Sequence, residues 1–548
     1  MDKKKVLEWI TKVCAADNTK IFHNAMYDVC WLKSYGIKIN GFVIDTMVML
    51  SLIDENRRWY SLNSASYDYL GEVKNEQALK EAAEAAGVDA KSEMYKLPAM
   101  YVGSYAEKDA ELTLELFRVL SREIQKQNLQ NVFDLETNLF PCLVDMRFNG
   151  VRVDVERAHT LKQKLVAEEE ELLLQVKKET GIETQIWAAR SIAQVFDKLS
   201  LPYSRTLKSN APSFTKNFLK EHPHPLVQKI AKAREINKAH TTFIDTILKH
   251  EHKGRIHADI NPIKSDQGGT VTGRFSYSNP NLQQIPARNK DLGPMIRGLF
   301  IPEKDCKWGC FDYSQQEPRL VVHYAATTEP ICFNDSVTKI VEKFKHDSVD
   351  FHQTVADMAN ISRSQAKTIN LGLFYGMGKA KLQAELGLNT KQEAEDLFDQ
   401  YHDKVPFVRE LMNRTSSFAQ TSGSIGTLLG RKCRFDKWEP ATFGMHTPMT
   451  LEEAERTYGR GRIRRAFTYK ALNKLIQGSA ADMTKKAMLD LYREGIIPHI
   501  QIHDELDLSV ESPERAKKII EIMENAVTLK VPNKVDYESG ETWGDIYD

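Results

Sequence analysis

Residues Pro498 to Val510, Pro-His-Ile-Gln-Ile-His-Asp-Glu-Leu-Asp-Leu-Ser-Val, set two short alternating apolar runs on either side of a charged tip. That alternation predicts a tight β-hairpin with His503, Asp504 and Glu505 at its turn. A hairpin tip holds a carboxylate rigidly, but one carboxylate makes a poor site for a divalent metal. A second strand ending in Asp lies far upstream, at Lys307-Trp-Gly-Cys-Phe-Asp312, followed by Tyr313-Ser-Gln-Gln-Glu317-Pro-Arg319 and an apolar helix start. Two strand-end aspartates so distant in sequence meet only if both strands enter one sheet, which is the arrangement that two-metal phosphoryl transfer needs.

A chain of 548 residues with 42% hydrophobic content forms several domains and has ample core. No run of eighteen apolar residues occurs, and Met1-Asp-Lys-Lys-Lys leads into an amphipathic stretch, so neither a membrane span nor secretion is indicated and a cytoplasmic location is expected. The seven cysteines, Cys14, Cys30, Cys142, Cys306, Cys310, Cys332 and Cys433, show no CxxC spacing and suit reduced thiols. The formal net charge is zero, but its distribution is uneven. Residues 431–474 carry 11 Lys and Arg against 5 Asp and Glu, whereas residues 504–548 carry 5 against 12. Within the basic stretch, Arg456, Arg460, Arg462, Arg464 and Arg465 are candidates for backbone phosphate contact, with a solvated basic face as the alternative.

The first 120 residues read as α/β. Lys20 to Asn24 suits a short strand, Tyr27 to Leu32 a helix, and Tyr101 to Arg118 a longer helix on which Tyr105 and Asp109 share a face. From about 125 to 260 the pattern is helical and charged, and Glu168-Glu-Glu-Glu171 reads as a solvated helix face. In the predicted helix Arg363 to Gly378, the residues Arg363, Lys367, Leu371 and Tyr375 recur every fourth position and form one slowly drifting stripe. Two cations at one end and a ring at the other match a nucleoside triphosphate laid along the helix, phosphates at Arg363 and Lys367 and base near Tyr375.

Taken in order, these segments resemble the family A DNA polymerases, particularly the phage-encoded kind, over residues 20 to 548. The resemblance implies an α/β multidomain chain: a right-hand polymerase of palm, fingers and thumb, preceded by a ribonuclease H-like 3′-to-5′ exonuclease domain. It divides the chain into that domain (1–120), palm entry (121–150), thumb (151–260), palm with motif A (261–330), fingers with motif B (331–470) and palm with motif C (471–548). Asp312 and Asp504 match the family's metal carboxylates, with Tyr313 beside the ions and Glu505 behind them. Glu317 matches a steric gate against the ribose 2′-hydroxyl, Gln315 and His352 match nucleotide contacts, and Lys367 matches the donor of a proton to pyrophosphate. Arg274, in the turn-rich segment Thr272 to Pro286, matches a minor-groove residue at the primer terminus, where acceptors lie at similar places in all four base pairs. Asn473, Gln477 and His503 match further contacts to DNA. The implied ions are two Mg2+, with Mn2+ as an alternative; the implied partners are primer-template DNA and deoxynucleoside triphosphates, acting on a monomer in the phage-infected bacterial cytoplasm.

Two departures from the family pattern carry expectations of their own. Asn24, Asp28, Tyr105 and Asp109 match exonuclease motifs, but nothing in the 23 residues before Asn24 fits the family's opening Asp-x-Glu, so the domain is expected to be incomplete, to lack proofreading alone, and to be completed, if at all, by a separate polypeptide. Leu371 stands where the family usually has Phe or Tyr. The thumb is too short for a thioredoxin-binding insertion. A single-subunit RNA polymerase is the competing reading, disfavoured by Glu317 and the exonuclease-like segment; a non-catalytic DNA-binding relative is disfavoured by the intact carboxylates and phosphate ligands.

Overall fold

The computed structural model describes residues 2–74, 76–286, 289–329, 334–346, 350–374, 379–388, 390–442 and 444–546. The N-terminal unit is built on β1 (Lys20–Phe22), α1 (Ala25–Ser34) and β2 (Val43–Asp45), with the two strands parallel in the register Lys20↔Val43 and Phe22↔Asp45. They form the only sheet among the described residues of this unit. A long helix, α2 (Ala99–Lys126), places Leu112, Leu116, Leu120 and Ile124 at four-residue spacing, and all four bury against Met49, Leu50 and Ile53. The next helix, α3 (Gln130–Asn149), joins two cores: Val132 and Phe133 belong to the N-terminal one, and Leu139, Cys142 and Leu143 to the central one.

Helices α4 (Val155–Thr180) and α5 (Pro225–Lys238) carry a separate core in which Val176, Ile186, Phe196, Leu226 and Ile230 meet. The glutamate run on α4 is not a wholly solvated face. Glu169 accepts from His240 Nε2 at 2.6 Å and from Asn237 Nδ2 at 3.0 Å, with its side chain 13% exposed. A partner supplied from far along the chain turns this one glutamate inward.

The central sheet gives the molecule its organisation. Strand β3 (Lys307–Tyr313) leads into α6 (Gln316–Thr327); then come α7 (Phe351–Ala359) and α8 (Arg363–Phe374). After them lie β4 (Trp438–Pro440), α9 (Leu451–Tyr458), β5 (Ile463–Arg465) and α10 (Ala471–Arg493), and finally β6 (Ile500–Ile502), β7 (Glu505–Val510) and β8 (Val535–Gly540). The sheet order is β6-β7-β3-β8, antiparallel throughout. Strand β3 is central and nearly continuously buried, as a strand covered on both faces must be. Phe311 stacks on Tyr537 at 4.7 Å, and Trp308 stacks at 5.8 Å on Trp543 of the closing Gly-x-x-Trp segment.

Helix α10 is buried along most of its length and packs on α3 and α6. Where it crosses α3 it encloses four charges: Lys485 Nζ lies 2.6 Å from Glu136, and Arg431 lies 2.6 Å from Glu136 and 2.8 Å from Asp482. Two cations and two carboxylates balance, so the cluster is buried without net charge. Burial lowers the Lys485 ammonium to a pKa of about 8, opposed by Glu136. The six described cysteines are free thiols; Cys332 lies outside the described residues. No helix among the described residues is long and apolar enough to cross a membrane.

Candidate active site

The register of β3 with β7 sets Asp312 opposite Glu505, and the Tyr313 N–H donates to the Asp504 carbonyl at 3.3 Å. The hairpin turn is two residues, His503 and Asp504, because Glu505 already pairs with Ile502 as the first residue of β7. His503 takes a left-handed φ of 56°, which such a turn requires. The two aspartates therefore sit at adjoining strand ends, although they lie far apart in the sequence.

Their electrostatics describe a site made for cations. Asp312 Oδ1 is buried with no hydrogen-bond partner. Burial, and then the charge of Asp504, pushes the Asp312 carboxyl up to about 8. Burial raises Asp504 to about 6, against the lowering effect of a backbone N–H and of Arg274. Partly buried carboxylates gathered close together resist ionising, and a divalent ion between them would remove that resistance. The donor set fits such an ion.

Two ladder positions below, on the same face, Cys310 pairs with Asp507, and with Glu505 they form a group of three metal-ligating side chains among the described residues. Here the Cys310 thiol and one Asp507 oxygen are engaged, whereas Asp507 Oδ2 and Glu505 Oε1 are buried without a hydrogen-bond partner, as Asp312 Oδ1 is. Asp507 Oδ1 accepts from Trp308 Nε1 at 2.9 Å and from Cys310 Sγ at 2.7 Å. Burial and the Asp507 charge hold the Glu505 carboxyl well above its ordinary range. Glu505 thus faces a buried carboxyl, that of Asp507.

Tyr313 borders the site through its backbone. Its ring is 1% exposed and its hydroxyl donates to the Met523 carbonyl at 2.6 Å, so only its backbone borders the site. Alternation along β3 turns a side chain next to an inward carboxylate to the other face.

Helix α8 presents Arg363 and Lys367, both exposed. Arg363 Nε bonds Asp350 at 2.6 Å, and His352 meets Asn370 at 3.0 Å. A cavity of about 230 Å³ opens between them, lined by Ser314, Gln315, Arg319, Asp350, His352, Arg363 and Lys534. Gln315 also fixes the start of α7, its Oε1 accepting from the Phe351 N–H at 2.6 Å. Arg319 donates to the Ser314 carbonyl at 2.8 Å and bonds the Pro532 carbonyl, holding the cavity wall. Sequence reasoning missed Arg319 and Lys534 as lining residues; Lys534 comes from a segment with no motif of its own. Tyr375 lies outside the described residues, as does the side chain of Leu371.

On the other side, Arg274 pairs with Glu317, and Arg274 and His503 line one small cleft with Gln501. Burial, then Arg274, lowers the His503 imidazole below its ordinary value. Asn473 and Gln477 lie half-buried, four residues apart on α10. Gln316 at the start of α6 donates to Thr484 Oγ1 of the same helix at 3.2 Å, which ties α10 to the Asp312 strand.

The N-terminal motif residues come together only in part. Asn24 is left-handed (φ 68°), and its N–H and that of Ala25 donate to Asp45 at 3.0 and 2.8 Å. Burial, then Asp45, raises Asp28 to about 6. Lys74 Nζ lies 2.6 Å from Asp109 and 3.4 Å from the Tyr105 hydroxyl. The sequence reading overlooked both Asp45 and Lys74. Asp45 was visible as an N-cap before the apolar run 46–53, but Lys74 carried no signal. Among the described residues, no group of three metal-ligating side chains forms here.

Comparison with known proteins agrees with this layout. A family model for DNA polymerase family A matches residues 155–545, and one for 3′-5′ exonuclease matches residues 2–125. A DNA-directed DNA polymerase of Pseudomonas phage M6 is 34% identical over 95% of this chain and 82% of its own. DNA polymerase DpoZ of Acinetobacter phage SH-Ab 15497 is 29% identical over 94% and 86%. The polymerase domain of Pol1 from M. smegmatis, solved with DNA primer-template and dNTP, shares the fold at a TM-score of 0.75 and 24% identity, covering 99% of this chain and 88% of that one.

Proposed function

Because the chain belongs to DNA polymerase family A, with a 3′-5′ exonuclease domain ahead of the polymerase, and carries out template-directed DNA synthesis, we propose how its own residues perform that reaction. The observation that carries the proposal is the meeting of Asp312 and Asp504 at adjoining strand ends, Asp312 Oδ1 buried and unpartnered. These two carboxylates, with the backbone of Tyr313, would hold Mg2+, or Mn2+ in its place. Bound there, divalent ions supply charge stabilisation to the attacking and departing oxygens.

The chain's part is positioning and proton transfer. The 230 Å³ cavity takes the triphosphate, with Arg363 exchanging Asp350 for phosphate oxygens and His352 behind it. Lys367, exposed on the same stripe of α8, donates a proton to the departing pyrophosphate. Glu317, fixed by Arg274, stands where a 2′-hydroxyl would enter, which favours deoxynucleoside triphosphates over ribonucleotides. Arg274 then accepts any correct pair at the primer terminus from the minor groove, with Asn473, Gln477 and His503 along the duplex.

The test is extension of a matched primer on a longer template with Mg2+ and dNTPs. The parent extends. Asp312→Asn and Asp504→Asn, which keep size and remove charge, abolish extension while retaining primer-template binding; an active Asp312→Asn protein refutes the assignment.

A further inference from the structure

The basic stretch that drew notice in the sequence has no role in the reaction above, and its structure is unusual. Strand β5 pairs with β4 in the register Trp438↔Arg465, and Arg465 lies 4.6 Å over the Trp438 ring and donates to the Phe435 carbonyl at 2.8 Å. Arg465 is thus an anchor, half-buried, and not part of a free basic face. Two residues on, Phe467 takes a φ of 63°, a left-handed conformation that costs a bulky side chain of order 1–3 kcal/mol.

That conformation leaves Phe467 exposed (39%), beside Tyr469 (54%). The two ring centroids are 6.5 Å apart, and Lys470 Nζ stands 4.8 Å from one and 5.6 Å from the other. An apolar core of Ile425, Phe435, Ala471 and Leu475 lies close by in the same region, yet neither ring joins it. Around this ledge, Arg456, Arg460, Arg462 and Arg464 are exposed. Arg460 and Arg464 have acidic neighbours in Glu455 and Glu439, while Arg456 and Arg462 form no ion pair among the described residues.

We propose that Phe467, Tyr469 and Lys470 form a stacking ledge for unpaired bases of single-stranded DNA, the template strand ahead of the active site. The inference rests on the polymerase reading and extends it to a site outside the reacting centre. Exposed rings capped by a cation, next to further arginines, are what sequence-tolerant single-strand binding uses: the rings take base faces and the cations follow the phosphates. A duplex offers no free base face, so the ligand is unpaired. The ledge opens directly into α10, whose Asn473 lies one turn further on and whose Ala480 and Thr484 carry Gln316 of the Asp312 strand's helix. At 1.5 Å per residue the ledge is about 16 Å along that axis from Ala480, near enough for the template strand about to enter the active site.

The experiment compares the full chain's affinity for two primer-templates, one with a single-nucleotide 5′ template overhang and one with an overhang of about eight nucleotides. The overhang carries 2-aminopurine. The parent binds the longer overhang about 10-fold more tightly, with a fluorescence change at the probe base. Phe467→Gly/Tyr469→Ala loses that margin and the fluorescence change but extends the single-nucleotide overhang at the parent's rate; Tyr469→Trp keeps the margin. If the double variant is too unstable to extend, Tyr469→Ala alone must reduce the margin. A margin unchanged by these substitutions, or absent from the parent, overturns the proposal. Failure of the parent to extend even the single-nucleotide overhang would instead overturn the polymerase reading.

Discussion

At the scale of the residue, the site is defined by carboxylates whose ordinary ionisation the fold opposes. Asp312 is raised to about 8 and Asp504 to about 6, each first by burial. A carboxyl whose folded pKa exceeds its unfolded value of about 4 binds more protons when folded, so stability falls as pH rises between the two values. In chelator, the protein should therefore lose thermal stability between pH 5 and pH 8, and Asp312→Asn should unfold at a higher temperature than the parent at pH 8 with little difference near pH 4. Added Mg2+ should close that gap by raising the parent's midpoint more than the variant's. Differential scanning fluorimetry reads both effects, and a pH-independent difference would show that Asp312 is not the strained group. Glu317 belongs to the same scale. Its bond to Arg274 ties the proposed gate to the proposed primer-terminus contact. Glu317→Ala should raise the ratio of ribonucleotide to deoxynucleotide incorporation by about 10–100-fold, and also weaken use of a matched primer end, as single-turnover incorporation would measure.

At the scale of the element, two helices divide the labour. Helix α8 delivers Arg363 and Lys367 from one stripe. Lys367→Leu should lower the maximal incorporation rate by about 100-fold or more without changing primer-template affinity, and rapid-quench kinetics beside a gel-shift titration separates the two. Helix α10 instead carries the buried charges that fasten it to α3. Lys485→Met leaves Glu136 with Arg431 alone in a fully buried place, and should cost about 3–5 kcal/mol in denaturant unfolding. The elements themselves were legible in sequence, because strand alternation at Ile500 to Val510 and the apolar run into Asp312 depend only on neighbours. What sequence could not show are pairings between distant segments. Glu169 turns inward for His240, Tyr313 spends its hydroxyl on Met523, and Lys534 reaches the proposed nucleotide cavity from a loop without any pattern. The same blindness hid Lys74, whose partner Asp109 was recognised but whose own position in a loop signals nothing.

At the scale of the whole molecule, the N-terminal unit is bound into the polymerase whether or not it cleaves DNA. Arg434 reaches Glu55 at 2.6 Å, the Tyr60 N–H donates to Asp266 at 2.8 Å, and Asn56 meets Asp436 at 3.2 Å. Its exonuclease motif residues, by contrast, are engaged with other groups of the chain. Lys74 places a cation directly on Asp109 and Tyr105, where a metal would otherwise supply the positive charge. The charge that acts on Asp28 is that of the buried Asp45, and Asp45 is occupied by the backbone N–H groups of Asn24, Ala25 and Met47. Two carboxylates, one of them neutralised, hold ions on one side of a phosphate at best, and in-line hydrolysis needs both sides stabilised. A labelled primer with a 3′ mismatch, incubated with Mg2+ and no dNTPs, should therefore keep its length, while a matched primer in the same preparation is extended once dNTPs are added. With dNTPs the mismatched primer should extend slowly and without prior shortening. Shortening that Asp109→Ala abolishes would mean that Lys74 swings away and a working site assembles, and the unit would then be a nuclease in this chain by itself. Shortening that survives Asp109→Ala would point to a contaminating nuclease and leave the comparison to be made with Asp28→Ala/Asp109→Ala protein, in which any activity of this unit must vanish.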